Sequence, residues 1–218
     1  MAVQRRGRGR AEAKGTWMIK RGLDIVISLL AIVILAVPMF AIALVIRLGS
    51  RGAAVFRQRR VGRGGTPFTM FKFRTMRADA DPYGSSPHSA SDPRLTRFGR
   101  FLRQTSLDEL PQLFNVLAGR MSLVGPRPLY ERQAEQWTER QRRRLDVRPG
   151  LTGYAQVYGR GAVTHEEKIE LDLYYVEHQS LWLDCRIILK TLLGAFTSPK
   201  GTYERRYSRD KERETDRQ

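Results

Sequence analysis

The sequence predicts an α+β fold, mainly α, organised around one helix that enters a membrane. Three observations predict it. Ile25–Ile46 reads IVISLLAIVILAVPMFAIALVI, without a charge and with Ser28 as its only polar side chain. As a helix it covers roughly 33 Å, the thickness of a bilayer core. Residues 54–60 and 66–75 alternate β-formers around Gly62–Gly65, which predicts a small β-hairpin. Beyond these lie helical windows at 131–147, 165–179 and 181–196, charged or amphipathic in pattern.

The apolar run is not a simple span. Arg5, Arg6, Arg8, Arg10, Lys14, Lys20 and Arg21 precede it, and Arg47, Arg51, Arg57, Arg59, Arg60 and Arg63 follow it. A crossing helix would place one basic cluster on the side that positive charge avoids. Pro38, inside the run, removes a backbone hydrogen bond and kinks a helix. The expectation is a re-entrant helix broken at Pro38, with both ends on one membrane face. The run is too long for a signal-peptide core and lacks a small-residue cleavage site, so it is expected to be retained.

Four regions follow: a disordered basic arm at 1–16, the re-entrant membrane helix at 17–50, a cytosolic or interfacial domain at 51–199 and a charged tail at 200–218. Within the domain, composition makes 79–93 a loop, Leu95–Leu102 a short helix, and Ser106 the start of another. Gly125–Pro128 must be extended or irregular, because residues before proline avoid the α region. Arg148–Gly161 is a loop punctuated by glycine. The window 181–196 is too charged to span; it lies in the membrane interface, with Trp182 at headgroup level, or packs as an ordinary amphipathic core helix.

The 218 residues carry a net charge of +17, which suits nucleic acid, an anionic membrane or a phosphorylated substrate. With the apolar run present, membrane and phosphate lead, nucleic acid is not expected, and RRGRGR is read as facing lipid headgroups. Cys185 stands alone, so no intramolecular disulfide forms. His88, His165 and His178 lack metal-ligand spacing, and neither a Walker loop nor a dinucleotide fingerprint occurs.

Chemistry concentrates in residues 103–129, RQTSLDELPQLFNVLAGRMSLVGPRPL. Ser106 and Glu109 are spaced as a capping box, and Asp108 then falls in the first helical turn, where acidic residues complement the helix dipole. Locally that structural role is favoured over a catalytic Asp108–Glu109 pair. The neighbouring Arg97, Arg100, Arg103, Arg120 and Arg127 point the other way. A carboxylate can attack phosphorus, provided that the charge of an anionic diphosphate is neutralised by arginines and Mg²⁺. Mg²⁺ itself needs only one or two protein carboxylates beside substrate phosphates.

Long blocks in a fixed order resemble the bacterial sugar transferases, the small monotopic phosphoglycosyl transferases. They are Lys20-Arg21 with Asp24, FRQRRVGRGGTPFTMFKFRTM (Phe56–Met76), TSLDELPQLFNVLAGRMSLVGPRPL (Thr105–Leu129), RPGLTGYAQVYGRG (Arg148–Gly161), and Lys168, Asp172, Tyr175 and Ser180. The resemblance implies transfer of a sugar-1-phosphate from a UDP-sugar to polyprenyl (undecaprenyl) phosphate, releasing UMP, at the cytoplasmic face of the bacterial inner membrane. It implies Asp108 as nucleophile and Mg²⁺ contact, forming a covalent phosphosugar intermediate, and Glu109 as its partner. Arg103, Arg127 and Arg160 match phosphate-facing arginines, while Lys72 and Arg74 are candidates for the site or the membrane edge. A homodimer is compatible with it; the alternative is a membrane-anchored basic scaffold without catalysis. Two departures stand out. Val37-Pro38 replaces a Ser-Pro pair, so Ser28 or a water is expected to serve the carbonyl freed by Pro38. Tyr154 and Tyr158 stand where Trp and Asn are typical, and leave the sugar undetermined.

Re-entrance predicts that cysteines placed by G15C and R51C, each in a C185S background, react with an impermeant maleimide from the same side of sealed vesicles. Reaction from opposite sides identifies a spanning helix.

Overall fold

The computed structural model describes residues 2–80, 92–135, 137–159 and 163–197. The arrangement follows from one long helix, α1 (Ala2–Gly49), against which the rest of the chain packs. Its apolar part, Trp17–Gly49, is long enough to cross a membrane and is mostly exposed, with Val37 at 78% and Ile34 at 72%. One stripe is not. Asp24, Ser28, Met39, Ile42 and Ile46 are buried, and Ala31, Ile32 and Leu35 pack against the domain between them. That three-and-four spacing is one face of a helix. The domain covers this face along its length, which leaves the other faces for lipid.

Helical backbone continues through Pro38, a residue that bends a helix without having to end it. The same helix begins at Ala2. One expectation about α1 is corrected. Ser28 does not serve the carbonyl freed by Pro38. Its hydroxyl donates to the Asp24 carbonyl at 2.5 Å, one turn back, in the pattern open to any helical serine.

The predicted hairpin forms from β1 (Val55–Val61) and β2 (Pro67–Phe73), antiparallel, with Val55 opposite Phe73 and Val61 opposite Pro67. Phe68, Met70 and Phe73 point inward from β2, as a two-residue period requires with one shift at the end. Helix α2 (Arg97–Gln104) is capped by Thr96, whose hydroxyl accepts from the Gly99 amide at 2.8 Å. Helix α3 (Gln112–Leu117) begins after Pro111 rather than near Ser106. A second, parallel pair joins β3 (Ser122–Val124), just before the segment expected to be extended or irregular, to β4 (Gly150–Thr152), inside the expected glycine-punctuated loop. The strands are short and interrupted by glycine and proline, which hides them from any pattern count. A Cβ on Gly150 would stand 2.1 Å from the Gly125 amide nitrogen, so this crossing requires glycine.

The single charged helix expected over 131–147 is split into α4 (Glu131–Glu135) and α5 (Glu139–Arg142), because Thr138 forms a capping box with Gln141 and starts a new helix. Helices α6 (His165–Glu177) and α7 (Leu181–Thr197) complete the fold. Helix α7 is amphipathic, with one face turned to the core. Asp184 and Ile187 face the core, while Trp182, Leu189, Leu192 and Leu193 are exposed. The loop expected at 79–93 lies largely outside the described residues, and the tail at 200–218 wholly so.

Polar side chains stitch α1 to the domain. Lys20 donates to Asp184 at 2.6 Å and to the Val124 carbonyl at 3.1 Å, and the Tyr175 hydroxyl donates to the same two residues. Arg21 caps α3 by donating to the Val116 and Leu117 carbonyls at 2.7 and 2.9 Å. The Asp24 carboxylate accepts from the Leu123 amide at 2.9 Å. At the hairpin, Asn115 donates to the Thr69 carbonyl and accepts from the Phe71 amide, at 2.7 and 3.0 Å. N115A strands both backbone groups of β2 and is expected to lower unfolding stability by about 2–4 kcal/mol in detergent. A loss below about 0.5 kcal/mol in urea titration means that water replaces both bonds.

Candidate active site

The Asp108–Glu109 pair sits on a turn, not on a helix. Ser106 adopts a left-handed conformation, φ 58°, and makes no capping bond; Leu107–Glu109 then form a single 3₁₀ turn between α2 and α3. The capping box expected of Ser106 and Glu109 is therefore absent. A non-glycine residue in this region is strained, and such strain gathers at functional sites. The turn has a geometric consequence: it aims Glu109 and Asp108 into different surroundings.

Glu109 is fully engaged. Lys72, near the end of β2, donates to its Oε1 at 2.9 Å, and Arg127 donates to the same oxygen at 2.8 Å and to Oε2 at 3.5 Å. Burial works to raise the Glu109 carboxyl, but Arg127 and Lys72 overcome it and hold the group well below the usual carboxylate range. Lys72 is lowered too, here by burial, which disfavours the ammonium and is opposed by Glu109.

Asp108 is only 6% exposed and accepts no hydrogen bond among the described residues. Burial, reinforced by the charge of Glu109, pushes its carboxyl up to about 6, against the pull of Lys72, Arg103 and Arg127. Two adjacent carboxyls are thus driven apart: Glu109 is a permanent anion, and Asp108 titrates close to neutrality with its oxygens unclaimed. Separation of this kind assigns different roles to paired acids. The unclaimed carboxylate is also a hard oxygen donor of the type that Mg²⁺ accepts, although no group of three acidic, histidine or cysteine ligands occurs among the described residues.

Of the residues singled out from sequence, Asp108, Glu109, Lys72 and Arg127 meet in this site. Arg103, on the last turn of α2, acts on Asp108 through its field without a hydrogen bond to it. Arg74 does not join them. It donates to the Ser50 and Arg51 carbonyls at 3.0 and 2.7 Å and to the Ser50 hydroxyl at 2.8 Å, closing the C-terminus of α1 at the edge of the apolar segment. Arg160 lies outside the described residues. Tyr154 precedes a π-helical turn at Ala155–Gly159 and stacks on Tyr158 within it, ring centroids 4.3 Å apart, and Lys190 of α7 sits 4.2 Å from the Tyr158 centroid.

Sequence reasoning missed Arg60 and Arg144, which reach the Pro126–Pro128 loop carrying Arg127. Each lies in a run of arginines, RQRR and RQRRR, whose members look alike in sequence. The available signal was the alternation of β1, which turns Arg60 to the same face as Gln58.

Comparison with known proteins places this architecture. The family model for bacterial sugar transferase matches residues 15–198. An uncharacterised sugar transferase of Bacillus subtilis is 42% identical over 181 residues, covering 83% of this chain and 89% of its own. The UDP-glucose:undecaprenyl-phosphate glucose-1-phosphate transferases of Escherichia coli and Caulobacter vibrioides are 39% identical over 189 residues and 43% identical over 187. Those matches cover 83% and 82% of this chain, but 41% and 70% of the relatives. The chain therefore spans less than half of the Escherichia coli protein and most of the Bacillus one. On the extent of these matches, the chain belongs to the bacterial sugar transferase family.

Proposed function

We propose that this chain transfers a sugar-1-phosphate from a UDP-sugar to a polyprenyl phosphate, giving a polyprenyl-diphosphate sugar and UMP. The observation that carries the reading is the division of the dyad: Asp108 is buried and unclaimed beside Glu109, which Lys72 and Arg127 hold as an anion. An Asp108 oxygen attacks the phosphorus bearing the sugar, forming an O–P bond while the bond to the bridging oxygen breaks. UMP leaves with that oxygen, and an aspartyl phosphosugar remains. A phosphate oxygen of the polyprenyl acceptor then attacks the same phosphorus and frees the Asp108 carboxylate. Arg103, Arg127 and Lys72 supply positive charge as the two anions approach. Mg²⁺, held by the Asp108 carboxylate and substrate phosphates, would add neutralising charge on the diphosphate.

The acceptor's chain stays in lipid, so the site belongs at headgroup level. We place the protein on the cytoplasmic face of the bacterial inner membrane, with α1 re-entrant and both of its ends on that face. The docked stripe Asp24–Ile46 supports this. A helix covered by the domain along one whole side cannot cross a bilayer while the charged hairpin stays in water. Pro38 supplies the weak point at which the helix can bend in lipid. Exposed Phe101, Phe114, Trp182, Leu189, Leu192 and Leu193 give the domain further apolar surface to seat at the interface.

The relatives' names include glucose and N-acetylgalactosamine donors at similar identity, so the donor is found by screening UDP-sugars with undecaprenyl phosphate and measuring UMP. Turnover is expected with at least one of them and lost on D108N; full activity in that variant rejects the covalent scheme. A second expectation concerns pH. Because Asp108 must be ionised to attack, kcat/KM for the donor is expected to rise tenfold per unit up to about 6 and then level. A profile flat from pH 5 to 8 excludes Asp108 as the titrating nucleophile. E109Q leaves Lys72 and Arg127 without their shared anion and is expected to lower kcat by about 10²-fold.

A further inference from the structure

The Gly125–Leu129 segment carries Arg127 but has few donors of its own, since Pro126 and Pro128 lack N–H groups. The four consecutive carbonyls of Pro126–Leu129 are nevertheless all taken, by three parts of the fold. The Gly150 amide donates to the Pro126 carbonyl at 2.9 Å, and the Val61 amide to that of Leu129 at 3.1 Å. Arg60 reaches the Pro128 carbonyl at 3.4 Å, and Arg144 donates to that of Arg127 at 3.0 Å. Arg144 is the unusual one. It is 3% exposed, its guanidinium lies 4.9 Å from the Trp137 ring centroid, and its Nη2 is shared between the Arg127 carbonyl and buried Asp172. Trp137 and Arg144 line one cleft with Pro126, Arg127 and Pro128.

A buried ion pair is a poor source of stability, because desolvation offsets much of its attraction. What this pair fixes is direction. A planar guanidinium held by Asp172 and stacked on Trp137 presents one N–H to the residue whose side chain grips Glu109. We propose that Arg144, oriented by Asp172, is a positioning residue that holds Arg127 through its backbone carbonyl and so sets the geometry of the Glu109–Arg127 contact. This rests on the functional reading above, in which Arg127 serves the dyad. Loop misplacement of about 1 Å is enough to cost about 10²-fold in rate.

The test is a double-mutant cycle on the full chain in detergent, with the UDP-sugar that turns over and undecaprenyl phosphate. R144Q is expected to lower kcat by about 10–100-fold with donor KM changed less than about 3-fold. In an R127A background the same change is expected to lower kcat by less than about 3-fold, because the contact it supports is gone. Equal losses in both backgrounds overturn the proposal and leave Arg144 a merely structural residue. If R144Q fails to fold, R144K enters the same cycle: it keeps the charge beside Asp172 but lacks the planar guanidinium that lies over Trp137 and aims the shared donor. R127A at wild-type activity overturns the functional reading itself, whatever Arg144 does.

Discussion

Lys72 and Arg127 close on the Glu109 carboxylate at 2.9 and 2.8 Å, and the remaining chemistry of the site depends on this contact. It joins three pieces of chain: the hairpin, the strained turn after Ser106 and the proline-flanked loop. In a buried setting, two cations with one anion leave a surplus of positive charge. In the proposed transfer, Asp108 balances it when ionised, and the phosphate's own oxygens take over once Asp108 is bonded to phosphorus. The electrostatic need is the same before and after attack, so the protein does not have to reorganise charge as the reaction proceeds. Glu109 thus acts as a fixed counter-ion that prevents the two cations from collapsing onto Asp108.

That arrangement requires a rigid frame beside a fluid membrane, and α1 supplies one side of it. Along its docked stripe the helix is a wall of the hydrophobic core, packed against Phe73 and Leu102 at one end and the Leu113–Val124 cluster at the other. Its polar contacts fall at the ends: Lys20, Arg21 and Asp24 secure α3 and β3, and Arg74 closes the far terminus. Between them no polar side chain but Ser28 is needed, which permits the uninterrupted apolar run. The apolar helix and the frame of the candidate site are one packing unit: Lys20 and Asp24 bond to β3, the strand that leads into Gly125–Pro128.

Much of this was legible in sequence where the signal was local. The hairpin followed from alternation and α6 and α7 from spacing, while block resemblance singled out Asp108, Glu109 and Arg127 and left Lys72 between the site and the membrane edge. Failures occurred where long-range contacts overrode local rules. Ser106 has the residues for a capping box, yet tertiary packing turns it left-handed and buries Asp108. β3 and β4 are three residues each and pair across twenty-five intervening positions, so neither shows a period. Arg74 shares the KFRT block with Lys72 but is claimed by the end of α1, a contact no spacing rule reveals.

Among the charges, a further regularity concerns what each arginine touches. Arg144 divides its donor between the Arg127 carbonyl and the Asp172 carboxylate, whereas Arg21 and Arg74 are spent at helix C-termini and Arg60 on a loop carbonyl and the Gln58 amide oxygen, all neutral acceptors. A guanidinium satisfies such acceptors while keeping its charge. Neutral ligands therefore order these side chains without cancelling the positive field. A chain with +17 net charge can in this way use arginine as its structural hydrogen-bond donor and still present a cationic surface to phosphates and anionic lipid. In the dyad, by contrast, Glu109 takes up two cations and leaves Asp108 buried beside it with no hydrogen-bond donor among the described residues.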